Sequence, residues 1–318
     1  MTSPNSTKDE NKAPVMITGA SSGIGLELAR HYARQGRALL LIARNEERLA
    51  VTVAELLELQ PSPKGTGPSI TSLSLDVANA ELVQENLQSA IEQHGVPELL
   101  INAAGVVNVG RFLEMSPDYF DDNLRIDLEG TINVCRAVAP HMATAGTGHI
   151  VNIASVAGYL GIYGYTGYSA AKFAVMGFSE ALRFEMKPLG VAVSVVCPPD
   201  TETPGLELER SARPAETEAI AGSIAALNPS HVARKIVKGI DSKRFYIIIG
   251  SSSKFYFRLK GLLPEIFFAI VDAQVRGVSR KAKENGHKQS LALHDIASPS
   301  ACLPEQNALN RGGYSKCN

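Results

Sequence analysis

An excess of charge of either sign is missing from this chain. Its 318 residues carry 31 Lys and Arg against 32 Asp and Glu, a formal net charge of −1. No basic surplus points to a nucleic-acid partner, and no acidic bias points to a solvating, disordered chain. Cysteine is sparse: Cys135, Cys197, Cys302 and Cys317 form no C-x-x-C pair and are too few for a disulfide scaffold. That usage fits a reducing compartment and argues against structural zinc. The seven histidines show no H-x-x-x-H spacing, so no metal site is expected.

Long apolar runs are lacking too. Met1 to Ala13 is polar and reads as neither signal peptide nor anchor. The stretch Phe255–Val275 is apolar but broken by Arg258, Lys260, Glu265 and Asp272, whereas a bilayer span needs about 20 mostly uncharged residues. No internal repeat is visible, and the Gly-Lys-Ser/Thr of a nucleotide triphosphatase loop is absent.

What is present is an ordinary globular composition, 45% hydrophobic and 20% charged. Val/Ile/Leu-rich runs alternate with helical periodicity. Val15–Thr18, Ala38–Ala43, Ile70–Leu75, Leu99–Ala103, Ile150–Ala154, Val191–Val196 and Tyr246–Ile249 read as strands. Between them lie helical patterns at 24–35, 46–59 and from about 76 to 93. One long helix is predicted through Asp118–Met142, another from about Tyr168 to Met186, and a last one starts near Pro229. Alternation with near-continuously apolar strands predicts an α/β fold, a doubly wound parallel sheet covered on both faces. Ligands then bind at the carboxyl ends of the strands. The expected layout is a disordered N-terminus (1–12), one Rossmann-type domain (13–250), an apolar helical extension (251–280) and a disordered tail (281–318).

The first strand runs into Thr18-Gly19-Ala20-Ser21-Ser22-Gly23-Ile24-Gly25, and a helix follows at once. Glycines allow a sharp turn and close approach of a phosphate, and the free amides of a helix N-terminus supply donors. The same glycines would also serve an ordinary strand-to-helix turn. Gly19, Ser21, Ser22, Gly23, Ile24 and Gly25 are the candidate phosphate cradle. At the end of the second strand Ala43 stands where an NAD site usually offers a carboxylate, followed by Arg44 and, one helical turn on, Arg48. Guanidinium groups suit the extra phosphate of NADP. The alternative is two solvated charges on an amphipathic helix.

Tyr168-Ser-Ala-Ala-Lys172 puts a phenol and an ammonium on one helix face. A free tyrosine titrates near pH 10, and a nearby ammonium favours the phenolate and is expected to lower that value. Tyr159, Tyr163 and Tyr165 have no lysine one turn later, which singles out Tyr168. Ser155, at the end of a strand, is positioned to hydrogen-bond a substrate oxygen, or to cap a turn.

Together the Gly19–Gly25 loop, Asn102-Ala-Ala-Gly105, Ser155 and Tyr168-x-x-x-Lys172 resemble the short-chain dehydrogenases/reductases, over roughly Pro14 to Gly250. The resemblance implies a single Rossmann-type domain with a seven-stranded sheet and a homodimer or homotetramer. It implies that Asp76 and Val77 contact adenine, and that Asn102, Tyr168 and Lys172 also touch the cofactor. One position departs: Asp127 stands where the family usually has an asparagine in a proton relay, and an ionised carboxylate cannot donate. Cys197-Pro-Pro-Asp-Thr-Glu-Thr-Pro-Gly205 is similar to the corresponding run of the 3-ketodihydrosphingosine reductase subgroup, as are the segments 43–49, 164–168 and 229–237. That likeness implies NADPH-dependent reduction of a long-chain amino ketone, with Pro198, Thr201 and Thr203 beside the nicotinamide. Reduction of a 3-oxoacyl thioester or steroid ketone, and an idle NADP-binding sensor, remain the alternatives. The expected location is the cytoplasm. Phe255–Val275 either lies in a membrane interface, on the endoplasmic reticulum in a eukaryotic cell, or covers the cleft or a dimer partner.

Overall fold

The computed structural model describes residues 13–62, 67–221 and 225–284, and those up to Val278 form one compact unit. The expectations for residues 1–12 and 285–318 lie outside the described residues. Strands β1 (Val15–Thr18), β2 (Leu39–Ala43), β3 (Ile70–Ser74), β4 (Leu99–Asn102), β5 (Gly148–Ile153), β6 (Val191–Cys197) and β7 (Tyr246–Ile248) build one sheet. Its order is β3-β2-β1-β4-β5-β6-β7, and every neighbouring pair is parallel. The order reverses between β1 and β4, which opens a crevice at their carboxyl ends.

Successive residues of each strand face opposite layers. Val15 and Ile17 of β1, with Leu39 and Leu41 of β2, pack on the layer of α1 (Gly23–Arg34), α2 (Glu46–Leu59) and α9 (Pro229–Asp241). Met16, Leu40, Ile42 and Leu100 point the other way, to α3 (Ala80–His94), α5 (Gly130–Ala145) and α6 (Thr166–Met186). Both faces are therefore buried, which is why these strands read as unbroken apolar runs.

Two segments differ from expectation. The helix predicted through Asp118–Met142 is interrupted: α4 (Pro117–Asp122) passes into a π-helical turn, Asn123–Glu129, before α5 begins. The turn is held by side chains that reach across to the loop after β4. Asn123 exchanges bonds with the backbone of Asn108 (3.0 and 3.1 Å), and Asp127 Oδ1 accepts the Val106 amide at 2.7 Å. A widened turn barely disturbs the apolar period, so sequence periodicity does not register it. The segment after β6, where the sequence predicts no helix before Pro229, contains α7 (Pro204–Ala212) and α8 (Ala215–Ala221). Thr203 caps α7 by accepting the Leu206 amide at 3.2 Å, with Pro204 in the first turn. Beyond β7 come α10 (Ser251–Leu262) and α11 (Pro264–Glu284), and from the latter Phe267 is buried.

Candidate active site

The loop after β1 has the backbone that a phosphate cradle needs. Gly19 has φ +66°, and a Cβ there would meet the Ala103 carbonyl oxygen at 2.7 Å. A Cβ on Gly25 would stand 2.3 Å from the Gly19 oxygen. Both contacts are with backbone, which cannot step aside, so only glycine closes the loop this tightly. Ser22 precedes α1 in extended conformation, and its side chain caps no amide of the helix. The first-turn amides of α1 therefore face outward without an intrahelical partner. Thr18 Oγ1 accepts the amides of Ala103 and Ala104, each at 3.1 Å, tying the loop to the end of β4.

Gly19, Ser22, Gly23, Ile24 and Gly25 line one side of a cleft of about 600 Å³, while Ser155, Tyr168, Lys172, Pro198, Thr201 and Thr203 line the other. The remaining candidates lie off it. Arg44 and Arg48 are exposed at the end of β2, and among the described residues neither guanidinium has an ion-pair partner. Asp76 caps the turn before α3 through the Ala78 amide at 3.0 Å, and Val77 is buried next to it. Ser21 is half-buried in the loop without lining the cleft. Asn102 is buried, with Nδ2 donating to Asn152 Oδ1 at 2.9 Å and Oδ1 left without a partner.

Strand and helix converge at the cleft floor. Ser155 ends the β5 segment and Tyr168 and Lys172 stand one turn apart on α6. Ser155 Oγ accepts the Ala157 amide at 3.1 Å, which bears out the capping reading, and its hydroxyl also reaches the Tyr168 phenol at the cleft. Lys172 is 4% exposed, donates to the Ile153 carbonyl at 3.1 Å, and lies 5.5 Å from the Tyr168 ring centre. Behind it Asp127 is fully buried, with Oδ2 3.5 Å from the lysine nitrogen.

The electrostatics correct one expectation. The Tyr168 phenol is pushed up from its ordinary value, first by burial and then by the negative charge of Asp127. Lys172 does not reverse this, because its charge is shared with that carboxylate. Burial pushes Asp127 itself up to about 6, with Lys172 and the Val106 amide opposing. A phenol held in its acid form suits proton donation, the direction a reduction needs.

Part of Phe255–Val275 covers the cleft, one of the readings its sequence offers, whereas two acids of the wall are not singled out by the sequence. Tyr256 of α10 and Phe267 and Val271 of α11 roof it, and Asp200 and Glu209 add carboxylates to it. Of the charged pairs there, Glu209 and Arg213 stand at i,i+4 spacing, whereas Asp200 and Arg213 are 13 residues apart.

Comparison with known proteins bears on this geometry. The family model described as short chain dehydrogenase matches residues 13–214. The chain is 38% identical to mouse (Mus musculus) 3-ketodihydrosphingosine reductase over 240 residues, 75% of this chain and 71% of that one. It is 33% identical to the Dictyostelium discoideum protein of the same name, covering 84% of this chain and 83% of the relative. Among solved structures, a short chain dehydrogenase/reductase from Burkholderia phymatum in complex with NAD superposes with TM-score 0.70 at 29% identity, covering 80% of this chain and 95% of that one.

Proposed function

The chain belongs to the short chain dehydrogenase family, and from that premise we propose that it reduces the ketone of 3-ketodihydrosphingosine to dihydrosphingosine with NADPH. The observation that carries the reading is the cleft itself: Ser155, Tyr168 and Lys172 meet at its floor, and apolar side chains such as Leu160, Ile162 and Phe267 form walls suited to a long aliphatic chain. The names of the relatives from mouse and Dictyostelium support the same substrate.

The tight Gly19–Gly25 loop and its free amides fit a dinucleotide pyrophosphate. Asp76 and Val77 are assigned to the adenine, Asn102 to a place beside the cofactor, and Pro198, Thr201 and Thr203 to the nicotinamide. With Ala43 in place of an acid, the exposed Arg44 and Arg48 favour the 2′-phosphate of NADP. When bound, the cofactor supplies the hydride. The protein's own residues then handle the oxygen. The Ser155 hydroxyl donates to the ketone oxygen and holds it at the phenol, Tyr168 gives that oxygen its proton, and Lys172 steadies the phenolate left behind. Asp127 anchors Lys172 from the rear. Residues 13–250 make up the catalytic domain, and 251–280 form its roof.

The outer surface of that roof supports a second assignment, peripheral contact with a membrane from the cytoplasmic side. Phe255, Leu262, Leu263, Ile266, Phe268 and Ile270 are exposed, with Lys254 and Arg258 exposed beside them. No helix among the described residues is long and apolar enough to cross a bilayer. A homodimer or homotetramer is the expected assembly. The test is NADPH consumption against a panel of ketones in detergent. Turnover of 3-ketodihydrosphingosine above the others supports the reading. Turnover confined to 3-oxoacyl thioesters or steroid ketones, or NADPH binding without turnover of any ketone, overturns it.

A further inference from the structure

The cleft carries charge that the mechanism above leaves unused. Asp200, two residues past Pro198, and Glu209 of α7 both line it. Glu209 is 8% exposed; its Oε1 accepts from the Tyr165 hydroxyl and from Arg213 Nε at 2.9 Å, and its second oxygen has no partner among the described residues. The Arg213 side chain, 3% exposed, also reaches Asp200 Oδ2 at 2.6 Å. The next acid, Glu218, stands 3.9 Å from Arg213 and is largely exposed to solvent.

One buried guanidinium thus serves two cleft-lining carboxylates, Glu209 buried and Asp200 34% exposed, so the pair carries one more negative charge than the single cation shared between them. Burial pushes the Glu209 carboxyl up, with the Tyr165 and Arg213 bonds opposing. The negative charges of Glu209 and Asp200 also push the Tyr168 phenol up, so their field reaches the reacting centre. Among the described residues the only cationic side chain lining the cleft is Lys172, and it is committed to Asp127 and the Ile153 carbonyl. The wall with Asp200 and Glu209 thus carries acidic groups with no cationic side chain beside them in the lining except the committed Lys172, and the remainder of the cleft is mostly apolar.

We propose that the Asp200–Glu209 pair receives the ammonium group next to the substrate ketone and so selects an amino ketone over a neutral one. This inference rests on the reading of the site as a ketone reductase. An amine beside a carbonyl titrates near neutrality, roughly in the α-amino range of 7.7–8.0, so a neighbouring carboxylate decides its state. Held there by a charge-assisted hydrogen bond, it fixes which end of the substrate sits at Tyr168 and leaves the aliphatic chain to the apolar wall.

The experiment compares kcat/KM for 3-ketodihydrosphingosine with that for the same ketone carrying hydrogen in place of the amine, at saturating NADPH. The wild type should prefer the amine by about tenfold or more, the value of one charge-assisted bond. Asp200→Asn should shrink that preference to within about threefold, and Asp200→Glu, which keeps the charge, should restore it. NADPH titration by fluorescence verifies that each variant is folded. A wild type that treats the two ketones alike overturns the inference and leaves the reductase reading standing, as does an undiminished preference in Asp200→Asn. A wild type that binds NADPH and reduces neither ketone overturns the reductase reading, and the inference with it.

Discussion

Replacing Asp127 with asparagine separates two roles that a single carboxylate combines. Its Oδ2 lies 3.5 Å from Lys172 Nζ, a separation at which two unit charges attract by roughly 5 kcal/mol at an effective dielectric of about 20. Desolvation of both groups offsets much of this, so the pair's net contribution to stability is small. Its effect on the phenol is larger than its effect on folding. Asp127 is the leading charge that pushes Tyr168 up. Removing that charge, and freeing Lys172 to act on the phenol, should lower the Tyr168 value. In reduction the phenol must be protonated, so the alkaline limb of the pH–rate profile should move toward acid in Asp127→Asn. A limb that stays in place or moves toward base refutes the reasoning. Stability offers a second reading of the same group. Folding raises Asp127 from 3.8 to about 6, so the folded state binds that proton more tightly than the unfolded chain. The resulting stabilisation is complete below about pH 4 and is lost as pH rises through about 6. Urea titrations should show the wild type losing a few kcal/mol relative to Asp127→Asn across that window. A flat difference would contradict the assignment.

Three further outcomes are expected. Arg44→Ala should cut the preference for NADPH over NADH by about tenfold, the value of one charged phosphate contact, and an unchanged ratio would dismiss the phosphate assignment. Gly25→Ala forces a Cβ to within 2.3 Å of the Gly19 carbonyl oxygen; it should cost about 1–3 kcal/mol in thermal melting and weaken NADPH binding in titration. Unaltered melting and binding would show that the loop has slack. Ile266→Asp combined with Phe268→Asp should reduce co-sedimentation with phospholipid vesicles severalfold at similar melting temperature, whereas equal sedimentation rejects the membrane contact.

The doubly wound sheet was legible because its central strands, such as Val15–Thr18 and Leu99–Asn102, are buried on both faces and so appear as short apolar runs. The glycine loop and the Tyr168/Lys172 pair were legible because their chemistry depends on local spacing. Illegible features depend on contacts between distant residues. The π-helical turn at Asn123–Glu129 rests on Asn123 and Asp127 bonding to Asn108 and Val106, partners 15 and 21 residues away. The upward shift of Tyr168 reverses the expectation from its neighbouring lysine, because burial and the acids at 127, 209 and 200 prevail, and none of these is local to the motif. Arg213, which binds Asp200 and Glu209, looks like a surface residue in the sequence and becomes buried only when α7 folds over the cleft.

The central claim is that Tyr168 is the proton donor of an NADPH-dependent ketone reduction. It is tested most directly by following NADPH oxidation with 3-ketodihydrosphingosine in detergent micelles for the wild type and for Tyr168→Phe. The account predicts clear turnover in the wild type and a loss of at least about a hundredfold in the variant, as expected for removal of a general acid, with NADPH affinity nearly unchanged. Turnover in Tyr168→Phe close to the wild-type rate would contradict it.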